Sequence, residues 1–295
     1  MKILTYNLGL LDHLFTSVPK AASRSRFFGP YLSESFDREQ IDVALLQEIW
    51  SLEDVERLRD SLEDRYLVLC PPKEALLASG LVTILRKSWE WKLLDFHFFE
   101  YRQLYFGSLR AIHEIITGFR RGAIFTRIEN SEGQAMVIAN THLTPFEKNF
   151  GLRGRQLQSL SSRLKEILRP TDFLIIGGDI NHSTSYLKPA DKKKALKVLE
   201  DFTKEWRLLD PAENLLTYDP QRNSLAALCK WGNAGKPLSL DRIWLSPADK
   251  IDYGPAALYA EKNCAEAYPL SDHFGVTLEI RLSSASSQLV KAPKN

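Results

Sequence analysis

The stretch Leu174-Ile175-Ile176-Gly177-Gly178-Asp179-Ile180-Asn181-His182 runs from aliphatic side chains into a carboxylate and an amide. Such a run reads as a buried strand that delivers polar groups at its end. Gly177 and Gly178 carry no Cβ, so the backbone there can turn sharply and another group can come close. Asp179 and Asn181 leave on one face if the extended conformation persists. The same residues are also the ordinary ones of a turn. The pattern recurs along the chain. Lys2 to Asn7 is apolar and stops at Asn7, Ile41 to Leu46 finishes in Gln47-Glu48, and Ala135 to Asn140 leads into Thr141-His142. Asp241 opens the segment to Leu245, and Asp272-His273 precede Val276 to Ile280. An Asn that stops a strand, or a His bonded locally at its end, is unremarkable alone. A carboxylate at the end of an apolar run is less so, because Asp and Glu are rarely buried unless paired or bound to a cation.

Carboxylates and amides without cysteine suit a hard, oxygen-preferring cation, Mg²⁺ or Mn²⁺, whose octahedral shell keeps waters that a phosphate oxygen can replace. A histidine held by a carboxylate has its tautomer set and its pKa near neutrality, as a general base for water requires. Cation, acid-oriented histidine and an amide donor together describe hydrolysis of a phosphate ester. Acyl chemistry by Ser-His-Asp fits less well, since no Gly-x-Ser-x-Gly elbow is present. Gly177-Gly178 lacks the Lys and the spacing of a phosphate-binding loop.

Elements must hold these groups in place. Lys20 to Asp37, rich in Arg, Ser and aromatics, includes helix. Ser51-Leu52-Glu53-Asp54 has the form of a capping box, and Val55, Leu58 and Leu62 follow at helical spacing. Tyr66 to Leu69 and Gly80 to Leu85 read as strands joined through Pro71-Pro72. Trp89 to Tyr101 is aromatic with partial alternation, its rings expected in the sandwich core. Gly122 to Thr126 is a further strand. Arg155 to Leu168 is helical through Leu157, Leu160, Leu164 and Ile167, stopped by Pro170, and Ala195 to Trp206 is another helix. Lys192-Lys193-Lys194 before it reads as a solvated face. Leu109, Ile112, Ile116 and Phe119 recur at helical spacing, with Tyr105 and Ile115 nearby. Burial of that stripe is the ordinary expectation. With Arg110, Arg120 and Arg121 beside it, the alternative is an amphipathic insert resting on a membrane. No repeat or long linker interrupts the chain, so a single domain is expected over residues 1–282, with a disordered Ser-, Ala- and Lys-rich tail over 283–295.

The bulk numbers bound the class. With 295 residues, 44 % hydrophobic and 26 % charged, the chain has material for a large core. Lys and Arg number 39 against 37 Asp and Glu, a net +2, which supplies no strong sequence-independent pull toward nucleic acid. Cys70, Cys229 and Cys264 lack metal-ligand spacing and read as reduced thiols. The N-terminal apolar run is too short for a secretory signal and no stretch is long enough to span a bilayer, so a cytoplasmic protein is expected, with peripheral membrane contact only under the amphipathic alternative for the insert.

Thr5-Tyr6-Asn7, Leu46-Gln47-Glu48, Ser79-Gly80-Leu81-Val82, Asn140-Thr141-His142-Leu143, Gly178-Asp179-Ile180-Asn181, Leu240-Asp241-Arg242-Ile243 and Ser271-Asp272-His273 occur in the order used by the endonuclease/exonuclease/phosphatase (deoxyribonuclease I-like) superfamily, which the chain resembles from residue 3 to about 280. Ile41 to Leu58, Arg121-Gly122-Ala123 and Leu199 to Asp210 look most like its neutral sphingomyelinase branch. The resemblance implies a four-layer α/β sandwich, two packed mixed β-sheets flanked by helices. It implies a divalent metal, Mg²⁺ or Mn²⁺, held by Glu48 with Asn7 and Asp272 nearby, and His273 oriented by Asp241 as the base for water. Asp179 would position the nucleophile or the metal, and Asn181 and His142 would bind phosphate and stabilise the transition state. Two features depart from the branch: His142 is followed by Thr144-Pro145 where sphingomyelinases often carry another His, and the 96–119 insert does not align. The leading expectation is a Mg²⁺-dependent phosphodiesterase acting on a phospholipid such as sphingomyelin. Its rivals are a nuclease, a phosphatase of inositol phosphates or phosphoinositides, and an inactive binding protein.

Overall fold

The computed structural model describes residues 1–10, 12–13, 16–87, 90–101, 120–229, 235–260 and 268–283. The stripe from Tyr105 to Phe119, Cys264 and residues 284–295 of the tail lie outside them. The strands are β1 (Lys2–Asn7), β2 (Asp12–His13), β3 (Thr16–Ser17), β4 (Val43–Gln47), β5 (Tyr66–Leu69), β6 (Val82–Arg86), β7 (Trp91–Glu100), β8 (Gly122–Asn130), β9 (Ala135–His142), β10 (Phe173–Asp179), β11 (Asp241–Ser246), β12 (Ile251–Tyr253), β13 (Ala257–Tyr259) and β14 (Gly275–Leu282). The described helices are α1 (Ala21–Arg24), α2 (Phe28–Glu39), α3 (Leu52–Leu62), α4 (Lys73–Ser79), α5 (Phe150–Ile167), α6 (Pro189–Glu205) and α7 (Ser224–Leu228).

Period-two alternation sorts these residues into four layers. One sheet runs β12-β14-β1-β4-β6-β5, with β13 also on β14, and the other runs β11-β10-β9-β8-β7. Both are mixed: β1 is parallel to β4 and β9 to β10, and their remaining neighbours are antiparallel. Ile3, Val43, Leu45, Ile138, Ile175, Ile243 and Val276 meet in the core between the sheets. The alternate residues Leu4, Tyr6, Ala44 and Leu46 face outward onto Phe28, Leu32, Phe36, Val55, Leu58 and Leu62 of α2 and α3. On the other outer face Val137, Ala139, Leu174, Ile176 and Trp244 pack on Leu157, Leu160 and Leu164 of α5 and Phe202 of α6. Each such buried side chain contributes about 1.5–3 kcal/mol relative to exposure, so the three apolar layers hold the sandwich.

Local chemistry explains where the elements differ from expectation. Ser51 caps α3 by accepting from Asp54 N–H at 3.0 Å, but Asp54 does not reach back; it accepts from Arg57 at 3.0 Å instead. Between β5 and β6 the chain inserts α4, ending at Gly80 with φ 66°, so the strand begins at Val82 rather than Gly80. Helix α5 begins at Phe150, five residues before Arg155, despite Gly151 and Gly154. Lys192, Lys193 and Lys194 are exposed within α6. The aromatic strand requires a correction. Because β7 is the edge of its sheet, Phe96, Phe98 and Phe99 are half-buried, and among the described aromatics of this stretch only Tyr101 just beyond it is fully enclosed, bonded to Thr141 Oγ at 2.6 Å.

Candidate active site

The inward face of each central strand turns polar at one end of the sandwich. Ile3 and Thr5 are followed by Asn7, Val43 and Leu45 by Gln47, Ile138 and Asn140 by His142, Ile175 and Gly177 by Asp179, and Leu245 and Ile243 lead back to Asp241. Strand register aligns the ends, pairing Asp179 with His142 on one side and Asp241 on the other, and Asn7 with Gln47. Beneath the hollow, the Gln47 side-chain amide donates to Asn140 Oδ1 at 2.9 Å, and Asn140 donates to the Val82 carbonyl at 2.9 Å, tying the sheets together.

The two glycines act as their composition suggests. A Cβ on Gly177 would lie 2.4 Å from Leu45 Cδ1 of the facing sheet, and Gly178, at φ 147°, would put one 1.8 Å from the Thr141 carbonyl oxygen. Their absence lets the sheets close and brings β10 against β9 just below the site. The extended conformation does not persist to Asn181, however. That residue sits at φ 53°, and its N–H donates to Asp179 Oδ1 at 2.9 Å, so a turn and not strand alternation brings the pair together. Its side chain donates to the Leu143 carbonyl at 3.0 Å.

The expected residues converge. Asn7 Nδ2 lies 2.9 Å from Asp179 Oδ2 and 3.2 Å from Glu48 Oε1, across the two sheets. His142 Nε2 lies 3.6 Å from Asp179 Oδ2 and 3.8 Å from Glu48 Oε1. His273 Nδ1 bonds Asp241 Oδ2 at 2.8 Å while its Nε2 stands 4.0 Å from Asp179 Oδ2. Ser271 Oγ donates to the Asn7 carbonyl at 2.6 Å and accepts the His273 N–H at 3.1 Å, coupling the two ends of the chain. The Asp179 and Asp241 side chains are sealed, at 2 % and 0 % exposure, whereas Glu48 keeps 17 %, so the hollow opens to solvent on the Glu48 side. Glu48 holds φ 61°, a conformation uncommon for a non-glycine residue.

Burial controls the electrostatics. It pushes the Asp179 carboxyl up to about 7, with Asp241 as the next cause, and raises Glu48, where the charge of Asp272 adds to the effect. Burial likewise holds His142 well below its ordinary value, followed by the charges of Arg121 and His273. That direction favours the neutral imidazole in its contacts with the two carboxylates. For His273 burial acts downward but is outweighed by Asp241, through charge and hydrogen bond, and then by Asp179 and Asp272, which hold the imidazole well above its usual value.

A buried carboxylate set whose members raise one another's pKa is the donor chemistry of a hard divalent cation. Asp179, Asp241 and His273 offer ligand atoms within 4.8 Å of one another. Within that trio Asp241 Oδ2 is engaged by His273 Nδ1 at 2.8 Å, the contact that fixes the imidazole tautomer. On the Glu48 side, where Asn7 Nδ2 lies 3.2 Å from Oε1 and the charge of Asp272 acts on the carboxyl, the hollow is open to solvent and a cation could enter.

Several neighbours of the site carried no sequence signal. Thr217 Oγ accepts from the Leu240 and Asp241 amides at 3.1 Å each, and Tyr218 lies edge-on to His273 with centroids 5.4 Å apart. Cys229 Sγ is 3.5 Å from Asp272 Oδ2. The guanidiniums of Arg24 and Arg153 are buried under the loops on either side. Single residues of these kinds, outside any motif, give composition and spacing nothing to detect.

No protein-family model matches the sequence. A comparison with curated proteins finds no match either. Solved structures do resemble it: a D. rerio TDP2 complexed with single-strand DNA product is 21 % identical, with 95 % of this chain and 98 % of that one covered and a TM-score of 0.69. Staphylococcus aureus beta toxin 275-280 is 18 % identical over 96 % of this chain and 99 % of that one, TM-score 0.68. An endonuclease/exonuclease/phosphatase from Bacteroides vulgatus is 17 % identical over 96 % and 98 %, TM-score 0.66. The chain has the deoxyribonuclease I-like fold of these proteins, two mixed sheets packed face to face between helices.

Proposed function

We propose that the chain is a divalent-metal-dependent phosphoric ester hydrolase that cleaves a phosphodiester. The observation that carries this reading is the meeting of Asn7, Glu48, His142, Asp179, Asp241 and His273, contributed by strands and strand ends of both sheets, in one polar hollow.

In this reading Glu48, with Asn7 and Asp272, holds Mg²⁺ or Mn²⁺. When bound, the cation neutralises charge on the phosphate oxygens. His273, in its neutral form, which the charge of a bound cation would favour against the raising effect of the surrounding carboxylates, takes the proton of the attacking water at Nε2. Asp241, accepting from Nδ1, fixes the tautomer that leaves Nε2 free and stabilises the imidazolium formed. Asp179, 4.0 Å from Nε2, orients the water between them. Asn181 and neutral His142 donate to the non-bridging oxygens, where negative charge grows in the transition state.

For the substrate, a phospholipid head-group diester in the manner of a sphingomyelinase is the first reading. It rests on the sphingomyelinase-like segments and on the amphipathic pattern of Leu109, Ile112, Ile116 and Phe119. A nucleic-acid phosphodiester is the second, favoured by the likeness to a TDP2 complexed with single-strand DNA product. The test offers the protein sphingomyelin vesicles and single-stranded and plasmid DNA, each with Mg²⁺ and with EDTA. Release of phosphocholine that EDTA abolishes supports the lipid reading, DNA cleavage at equal enzyme replaces it with the nucleic-acid reading, and no metal-dependent hydrolysis of any diester removes the enzymatic one. His273→Ala should lower turnover by about 10²-fold or more; near-normal turnover would take His273 out of the base role.

A further inference from the structure

Arg24, the last residue of α1, has a side chain with no solvent exposure, and among the described residues it makes no hydrogen bond to a carboxylate. Its guanidinium instead spends its fork on main-chain oxygens. Nη1 donates to the Leu8 carbonyl at 2.6 Å and the Leu270 carbonyl at 2.7 Å, Nη2 donates to the Gly9 carbonyl, and Nε donates to the Pro19 carbonyl at 3.4 Å. A buried cation is tolerated only with such compensation, and only arginine presents so many donors in one rigid plane.

The segments it joins are those that carry the candidate cation ligands. Leu8 N–H and Leu10 N–H donate to the Gln47 and Glu48 carbonyls at 3.0 and 3.2 Å, so the 8–10 loop lies along the backbone of Glu48. Gly9 N–H donates to Asn7 Oδ1 at 3.0 Å. A Cβ on Gly9 would fall 2.4 Å from Asp272 Oδ1, so that carboxylate rests directly on the Gly9 backbone. Leu270, on the far side of the guanidinium, precedes Ser271 and Asp272 in the chain. One side chain thus fixes the separation between the loop that touches Asn7 and Glu48 and the loop that bears Asp272.

Resting on the metal-dependent reading above, we propose that Arg24 is the positioning residue of the cation site: it acts through the Leu8, Gly9 and Leu270 carbonyls to set the spacing of Asn7, Glu48 and Asp272, and so tunes metal affinity without touching metal or substrate. Arg153 supplies the contrast. It is an equally buried clamp, donating to the Thr144, Phe146 and Glu147 carbonyls at 3.0, 2.7 and 3.1 Å on the opposite rim. It should stabilise the fold without governing the cation.

The experiment titrates Mn²⁺ alone into wild type, Arg24→Lys, Arg153→Lys and Gly9→Ala by calorimetry. The thermal midpoint in EDTA and the half-saturating metal for diester hydrolysis are measured alongside. Arg24→Lys keeps the charge and loses the fork, so its metal dissociation constant should rise about 10-fold or more, as for other groups that orient metal ligands. Gly9→Ala, which crowds Asp272 and strains the backbone whose carbonyl Arg24 holds while keeping the arginine itself, should do the same. Arg153→Lys should lower the midpoint and leave metal affinity within about twofold, far below that range. The inference is overturned if Arg24→Lys lowers the midpoint alone, if Arg153→Lys shifts metal affinity equally, or, should Arg24→Lys not fold, if Gly9→Ala binds Mn²⁺ as wild type does. Wild type that binds no metal would instead remove the functional reading on which this one stands.

Discussion

Asp179 shows how a residue suited to chemistry is poorly suited to stability. Its carboxyl accepts from Asn7 Nδ2 and from the Asn181 N–H, yet burial and Asp241 still carry its pKa to about 7. In an unfolded chain it would titrate near ~3.9. The folded state therefore binds the Asp179 proton more tightly, and the stability this provides is complete below about pH 4 and lost as pH rises through about 7. We expect Asp179→Asn, in EDTA, to show a smaller fall in thermal midpoint across that window than wild type, while diester hydrolysis is lost. An unchanged slope would mean the carboxylate is ionised at no cost. His142 works in the opposite sense, since its depressed pKa removes stability as pH falls below about 6.5, so the variant must be compared with wild type at each pH.

Among the elements, β10 carries two adjacent glycines that the packing requires. Gly177 and Gly178 are adjacent but differ in what a methyl group would meet: a flexible Leu45 terminus for the first, the backbone oxygen of Thr141 for the second. Gly177→Ala can be absorbed by a rotamer change at Leu45, with a cost of about 1–3 kcal/mol typical of overpacking. Gly178→Ala meets both a forbidden φ and an immovable carbonyl, and we expect it to exceed that range and unpair β9 from β10, checked by denaturant midpoint and by amide exchange at Thr141 and Asp179. Equal costs for the two variants would contradict the strand geometry. Elements also mark where reading by periodicity works and where it stops. Helices α3, α5 and α6 and the central strands were legible because one face of each is apolar at a regular spacing. Helix α4 was not, since seven residues between Pro72 and Gly80 hold too few turns for a pattern, and the rings of β7 were misplaced because strand spacing carries no mark of lying at a sheet edge.

At the scale of the whole molecule, the two sheets are joined by an apolar core that ends in polar groups. Gln47, Asn140 and Thr5 form the floor on which the carboxylates stand. That arrangement gathers carboxyl groups at one end of the sandwich, with Glu48 raised by burial and by Asp272. Binding of Mg²⁺ to the folded state alone should stabilise it by about 2.7 kcal/mol at 100 times the dissociation constant. The thermal midpoint should accordingly rise with Mg²⁺ and return with EDTA, and Glu48→Gln should abolish the rise; a midpoint indifferent to metal would count against the site. Among the described residues no helix is long and apolar enough to cross a membrane.

What the amino-acid order by itself determined is the set of chemical groups and the strands that carry them: Asn7, Glu48, His142, Asp179 and Asn181 stand where apolar runs stop, Asp241, Asp272 and His273 where they begin, and the order of these motifs carries the resemblance that implies the fold class. Tertiary structure decided which of them meet and in what state of charge, because distances such as the 2.9 Å between Asn7 and Asp179, 172 residues apart, depend on register and sheet packing that no local spacing encodes. It also supplied the residues that act through the backbone, Arg24 and Thr217 among them, whose partners are carbonyls and amides and so leave no trace in side-chain pattern.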